Sequence, residues 1–325
     1  MSRRRNRPLS KRLLFSLAAV AILMVIMEAA AWGVARLAGI EQGWLPFDNR
    51  PLDYSVSPLK IRGRPDDLPP SGFRIVCLGD SFTFGHGVAA DDAYPAQLER
   101  ALRTAVPDVP IEVLNAGQRG FNAVAEAHYI TRRIDALAPS LLLWQFFRND
   151  VEPNSHYFTL TMPWYMREPP APLTYSNIYH LFFRRVLLPR WTAQSEFELR
   201  GFYEPSSRAW RDTLEAMAWI REETLRREIP VLFFTLPVVE IEQPCFIAEE
   251  NQVLDAARQA GFETFNLRPV LWPPPPELYD YLVSADDHHP NAAGHALAAQ
   301  AIITAMKLPE RIRGFAQTAV ETTPE

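Results

Sequence analysis

FRIVCLGDSFTFG, residues 73–85, is the stretch from which the rest of the chain can be read. Residues 73–78 form an apolar run of strand length, interrupted only by Arg74, and predict a buried β-strand. Gly79, Asp80 and Ser81 then turn the chain toward a helix, which leaves a serine hydroxyl at the carboxyl edge of the sheet. Downstream, strands and helices alternate. Residues 94–106 predict a helix and 111–114 a strand; 122–138 carry Ile130, Ile134 and Leu137 on one helical face, and 141–147 form an apolar run broken only by Gln145. Residues 206–227, with Trp210, Leu214 and Met217 on one side, predict a long amphipathic helix. A strand at 230–236, a helix near 249–260, a short strand at 264–267 and a closing helix at 291–306 follow. This alternation predicts an α/β fold, a doubly wound three-layer sandwich around a mostly parallel central sheet, with ligands bound beyond the carboxyl ends of the strands.

Composition narrows the class. At 325 residues, 48% hydrophobic and 22% charged, the chain is too long for a disulfide-stapled miniprotein and too apolar for a disordered one. The formal charge of −5 conceals an asymmetry, because Arg3, Arg4, Arg5, Arg7, Lys11 and Arg12 precede any acid. The remainder is therefore more acidic than the total suggests, which argues against nucleic-acid binding. Cys77 and Cys245 match no zinc or redox spacing and read as free thiols. After the basic tip, residues 1–12, the segment 13–35 carries one charge, Glu28, and at about 1.5 Å per residue it crosses a hydrocarbon core roughly 30 Å thick. We read it as a transmembrane anchor with a cytoplasmic basic end and an extracytoplasmic, periplasmic body. The competing reading is a signal peptide cleaved at the run Ala29, Ala30, Ala31. Residues 36–72, broken by six prolines, predict a spacer or wrapping arm; 73–310 form the α/β domain, with an aromatic, Pro-rich insertion at 151–205, and 311–325 are expected to be a flexible tail.

The strand ends hold the chemistry. Ser81 is not in a G-x-S-x-G elbow, since Thr83 stands where the second glycine would, and no G-K-[ST] phosphate loop is present. The second strand ends in Asn115-Ala116-Gly117 and the third in Asn149-Asp150. The backbone N–H groups of Ser81 and Gly117 and the side-chain amide of Asn149 are three donors suited to a tetrahedral oxyanion. Before the closing helix stands SADDHHPN, residues 284–291, in which Asp286 and His289 supply an orienting acid and a base for a hydroxyl nucleophile.

These four blocks, in this order, resemble the SGNH hydrolase superfamily, the GDSL-type esterases and lipases, over about residues 73–309. The resemblance implies an SGNH/flavodoxin-like sandwich and a serine esterase without a cofactor or a metal. It maps the nucleophile to Ser81, the oxyanion donors to Ser81, Gly117 and Asn149, and the acid and base to Asp286 and His289, the histidine directly before the proline. Two positions depart from the pattern: Phe82 replaces the usual leucine, and Phe147 stands where the third block has glycine, which would narrow the pocket beside Asn149. A metal set of His288, His289 and His295 with Asp287 is the less favoured alternative; His295 reads as a helix-surface residue and His86 as a loop residue near the nucleophile.

The implied reaction is acyl transfer from an ester, with acetyl esters of cell-surface glycans or lipids as the implied substrates. Transfer to water or to a sugar hydroxyl separates an esterase from an O-acyltransferase, and the residues leave that choice open. A non-catalytic envelope binding protein is the rival class. Around the third strand and the insertion that follows it, Trp144, Phe146, Phe147, Tyr157, Phe158, Trp164 and Tyr165, with a helix at 176–188 bearing Arg184 and Arg185, suggest three roles: a lid, an element touching the bilayer, or core packing.

Overall fold

The computed structural model describes residues 11–37, 52, 55–64, 72–154, 163, 173, 175–237, 246–271, 277–283 and 287–321. In chain order the helices and strands are α1 (Lys11–Leu37), β1 (Phe73–Leu78), α2 (Ser81–Phe84), α3 (Tyr94–Ala105), β2 (Ile111–Asn115), α4 (Ala123–Leu137) and β3 (Leu141–Phe146). They continue with α5 (Asn177–Phe182), a π-turn (Phe183–Leu187), α6 (Leu188–Phe202), α7 (Arg208–Arg226), β4 (Val231–Thr235), α8 (Ile247–Gln259), β5 (Glu263–Asn266), a one-turn helix (Arg268–Leu271), α9 (Ala292–Met306) and α10 (Leu308–Glu321). The chain divides into two compact units: Met1–Leu45 with Phe158–Glu196, and Pro46–Tyr157 with Phe197–Glu325.

The second unit is the predicted sandwich. Its five strands pair in parallel in the order β2-β1-β3-β4-β5. β1, β2, β3 and β4 are buried along their whole length, as strands covered by helices on both faces must be. Strand residues alternate between faces. Ile75, Cys77, Val113, Leu143 and Phe234 pack with Leu98 and Leu102 of α3 and Ile302 of α9. On the opposite face Trp144 meets Phe233 and Phe262 edge-on, at 5.0 and 5.6 Å between ring centroids. Trp144 and Phe146, which the lid reading would place over the site, are therefore core residues. Burial also pushes the Cys77 thiol far above its ordinary pKa, leaving an inert apolar side chain; Cys245, Tyr157, Phe158, Trp164 and Tyr165 lie outside the described residues.

Because the chain steps from β1 to β2 on one side and then to β3 on the other, the order reverses at β1. A crevice forms at such a reversal, beyond the carboxyl ends of β1 and β3. Ser81 and Asn149 follow those two strands. Residues 311–321, expected to be a flexible tail, instead belong to α10, where Ile312 is buried and Phe315 lies 5.6 Å from Phe73, ring to ring.

Of the proline-rich segment, residues 55–64 are described, and they pack on the domain. Ile61 is fully buried, and the Arg62 N–H donates to Asn115 O at 3.0 Å, which ties the arm to the end of β2. The buried Arg62 guanidinium donates to the carbonyls of Phe84 (2.5 Å), Gly85 (2.6 Å) and Val88 (2.6 Å) while lying 4.4 Å over the Phe84 ring. It thus gathers the carbonyl end of α2 and the turn beyond it, where the partial negative charge of a helix end collects. Nearby, Arg74 bridges to Glu112 across the β1–β2 register at 2.6 Å and Arg64 reaches both Glu112 and Glu99. Replacing Arg62 with Met preserves the stem but strands three carbonyls. We expect a loss of about 3 kcal/mol in urea unfolding; a loss below about 1 kcal/mol would mean that the turn carbonyls find other donors.

Candidate active site

The turn after β1 owes its shape to a helix cap, one close approach and a network of side-chain hydrogen bonds. Asp80 caps α2, accepting the Phe82 N–H at 2.9 Å, and places Ser81 at the first helical position. A side chain at Gly117 would overlap the backbone of Thr83 and Phe84, so the end of β2 is a notch into which α2 fits. Beneath the turn, the Thr83 hydroxyl lies 2.8 Å from the Gln145 amide of β3 and 3.0 Å from the Tyr94 hydroxyl. With the Gln145 amide turned to satisfy both ends, its nitrogen donates to Asp80 at 3.0 Å and its oxygen accepts from the Phe147 N–H at 3.1 Å. The first and third strand ends are thereby coupled through one side chain.

An imidazole reaches the serine from the turn before α9. Asn291 caps that helix by accepting the N–H groups of Ala293 and Gly294, and its own amide donates to the carbonyls of Asp280 and Leu282. The Val283 N–H donates to His289 O at 2.9 Å. So held, His289 places Nε2 2.8 Å from Ser81 Oγ and Nδ1 2.6 Å from Asp287 Oδ1. Asp287 Oδ1 also accepts the His289 N–H at 3.1 Å. Burial works to raise the Asp287 pKa, but the hydrogen bond and charge of His289 outweigh it and hold the carboxyl below its ordinary value. An ionised Asp287 fixes the proton on Nδ1 and leaves the Nε2 lone pair facing the serine hydroxyl.

The expected acid was Asp286, one residue earlier; it lies outside the described residues, and the carboxylate on Nδ1 is that of Asp287. Gly117 also departs from expectation. Its N–H donates to Asn115 Oδ1 at 3.1 Å and so is taken, whereas Gly120, at φ 71°, has an N–H that meets no acceptor among the described residues. Among those same residues the Ser81 N–H is likewise without an acceptor, and Asn149 has a buried Oδ1 without a partner and an amide nitrogen that no protein acceptor takes. Phe147 stacks on Phe82 at 4.1 Å, and Phe82 in turn lies 4.9 Å from the His289 ring. His295, expected on a helix surface, is buried: its Nδ1 accepts the Tyr94 N–H at 3.2 Å, and burial pulls its pKa down to about 3.

Burial also raises Asp80, Glu126 and Asp150. The Phe82 N–H opposes the shift at Asp80, and the Trp144 indole, 2.7 Å from Glu126, opposes it there; mutual repulsion adds to it at Glu126 and Asp150. This knot of carboxyls beneath the site includes Asp150, the neighbour of Asn149, whose second oxygen accepts the Phe147 N–H at 2.7 Å.

The metal set His288, His289, His295 and Asp287 does not assemble, since His288 is exposed and His295 is committed to Tyr94. Among the described residues the group with metal-ligating geometry is His86, Asp287 and His289, whose donor atoms lie within 4.8 Å of one another. A cation there would compete for the imidazole and carboxylate that already serve Ser81.

The family model described as GDSL-like Lipase/Acylhydrolase matches residues 77–297, about two thirds of the chain. No curated protein matches. Solved structures similar to it include TesA (13% identity, TM-score 0.48, covering 73% of this chain and 99% of that one). A second is LAE5, an alpha/beta hydrolase from the metagenome of Lake Arreo, Spain (17%, 0.46, 72% and 95%). A third is a lipase/acylhydrolase from Enterococcus faecalis (14%, 0.42, 74% and 96%). A family match of this extent, over a parallel α/β sandwich with a serine at the end of its first strand, establishes the class: the chain belongs to the GDSL-like lipase/acylhydrolase family, the SGNH hydrolases, and is an ester-hydrolysing enzyme.

Proposed function

We propose that the protein is a serine esterase that cleaves short-acyl carboxylic esters with Ser81 as nucleophile, His289 as base and Asp287 as orienting acid. The observation that carries this reading is the unbroken relay of Ser81 Oγ, His289 and Asp287, with links of 2.8 and 2.6 Å. As Oγ attacks the ester carbon, Nε2 takes its proton and the carbonyl oxygen becomes an oxyanion. The N–H groups of Ser81 and Gly120 and the amide of Asn149 receive that charge, with Gly120 replacing Gly117; each donor supplies about 2.7–4 kcal/mol. Collapse breaks the bond to the alkoxide, which leaves with the proton from Nε2. Water, deprotonated by His289, then attacks the acyl-serine and releases the carboxylic acid and free Ser81. The Phe82–Phe147 stack beside His289 favours a small acyl group such as acetyl. The basic tip and the apolar span Leu13–Leu37, with mean hydropathy 2.4, favour action from the extracytoplasmic face of the inner membrane, on acylated glycans or lipids.

An active-site fluorophosphonate should label the protein, and Ser81→Ala and His289→Ala should both abolish labelling. A folded wild-type protein that stays unlabelled would remove the esterase reading. For the acid, Asp287→Asn should lower kcat on an acetyl ester by on the order of 10³ or more, while Asp286→Asn stays within about twofold. The reverse ranking would return the role to Asp286. Finally, Phe147→Ala should shift the kcat/KM optimum along a series of nitrophenyl esters from acetyl toward longer acyl chains. An unchanged series would show that the ring does not bound the acyl site.

A further inference from the structure

Glu28 is the one acidic residue in the apolar span Leu13–Leu37, and it has partners. The Ser176 hydroxyl donates to one of its oxygens, and the Asn177 N–H and side-chain amide donate to the other at 2.7 and 3.3 Å. Ser176 in turn accepts the Tyr179 N–H at 3.1 Å. Glu28 and Ser176 together therefore cap α5, which continues through the π-turn into α6. α5 packs on α1 within one compact unit. The buried residues of α1 are Ala31 and Ala35, on the same face as Glu28, three and seven positions on. Small side chains there admit a second helix close to the first. The other faces of α1 are exposed and apolar, as are Tyr175 (85% exposed) and Phe182 (49% exposed) beside the contact.

A carboxylate within a bilayer persists only where donors replace water, and a helix N-terminus is such a donor set. Glu28 lies nine residues before Leu37, so the start of α5 sits about 13 Å along α1 from the end of the apolar run. From Asn177 to the exposed Arg185 is about 12 Å of helix, a length that matches the distance from Glu28 to that end. Lys and Arg reach headgroups from such positions.

We propose that the insertion helix α5, with the π-turn that follows, is embedded in the leaflet that holds the C-terminal half of α1, with Glu28 as its membrane-buried cap and lipid acyl chains covering Tyr175 and Phe182. This rests on the reading of α1 as a retained anchor. It also gives the insertion a task within the bilayer, and it makes α1 a part of the fold that cleavage at 29–31 would remove.

The test uses the full chain in phosphatidylcholine nanodiscs with brominated acyl chains. Single bimane labels are placed at Phe182→Cys, Tyr175→Cys, Ile22→Cys or Glu222→Cys in a Cys245→Ser background. Ile22 reports the anchor, and Glu222, exposed on α7, is the aqueous control. Quenching at Phe182 and Tyr175 comparable to that at Ile22, with none at Glu222, is the expected result. If Ile22 is quenched and Phe182 and Tyr175 are not, the proposal is overturned while the anchor stands. If Ile22 is not quenched, the anchor reading fails and takes the proposal with it. Glu28→Ala should reduce quenching at Phe182 several-fold with Ile22 unchanged, and Glu28→Gln, which keeps an acceptor for the Asn177 N–H, should restore much of it. Unaltered quenching at Phe182 in Glu28→Ala would remove Glu28 from the proposed cap.

Discussion

The hydrogen bond between Ser81 Oγ and His289 Nε2 joins residues 208 positions apart, and much of the α/β unit is arranged so that these two atoms meet. Ser81 is carried on the first strand of the sheet, and His289 on the turn before α9, which packs on α3 across one face of that sheet. An error in the register of β1 against β2 and β3 would move the serine by a whole residue, about 3.3 Å, more than the bond can absorb. The buried, two-sided strands and the Arg74–Glu112 bridge across the β1–β2 register hold it in place.

Around that bond the protein stores polar groups where apolar ones would pack more cheaply. Asp80, Glu126 and Asp150 are buried beneath the crevice with raised pKa values, and Arg62 is buried against three carbonyls of the serine turn. Such groups cost desolvation and return geometry. Asp80 and Gln145 fix the start of α2, Arg62 its end, and Asp150 the backbone of Phe147 next to Asn149. The same economy operates at Glu28, whose carboxylate is matched to a helix start by the Ser176 and Asn177 donors.

Much of the architecture was legible because it is written in local periodicity. β1 was read at 73–78 and is found there; the paired limits of α3, α4, α7 and β4 differ by one or two residues, a matter of fraying ends. Ser81 and His289 were legible because an exposed hydroxyl at a strand end and an imidazole before a helix are unusual placements, and the four blocks appear in a fixed order. Arg62 was not. It lies in a proline-broken arm without period, and its partners are 22 to 26 residues away in a turn whose shape no pattern announces.

By itself, then, the sequence determined the layers, a serine at the end of the first strand and an imidazole before the last predicted helix, and one apolar segment long enough to cross a membrane. Only the tertiary structure decided between neighbours. Asp286 and Asp287 are the same side chain one position apart, and the choice between them depends on which carboxylate reaches Nδ1. Gly117 and Gly120 are the same residue in different hydrogen-bonding surroundings: one N–H is consumed by Asn115 and the other meets no acceptor among the described residues. His295 looked like a surface residue until α3 covered it. The physical reason is common to all three: hydrophobic periodicity survives a shift of an ångström, whereas a hydrogen bond does not.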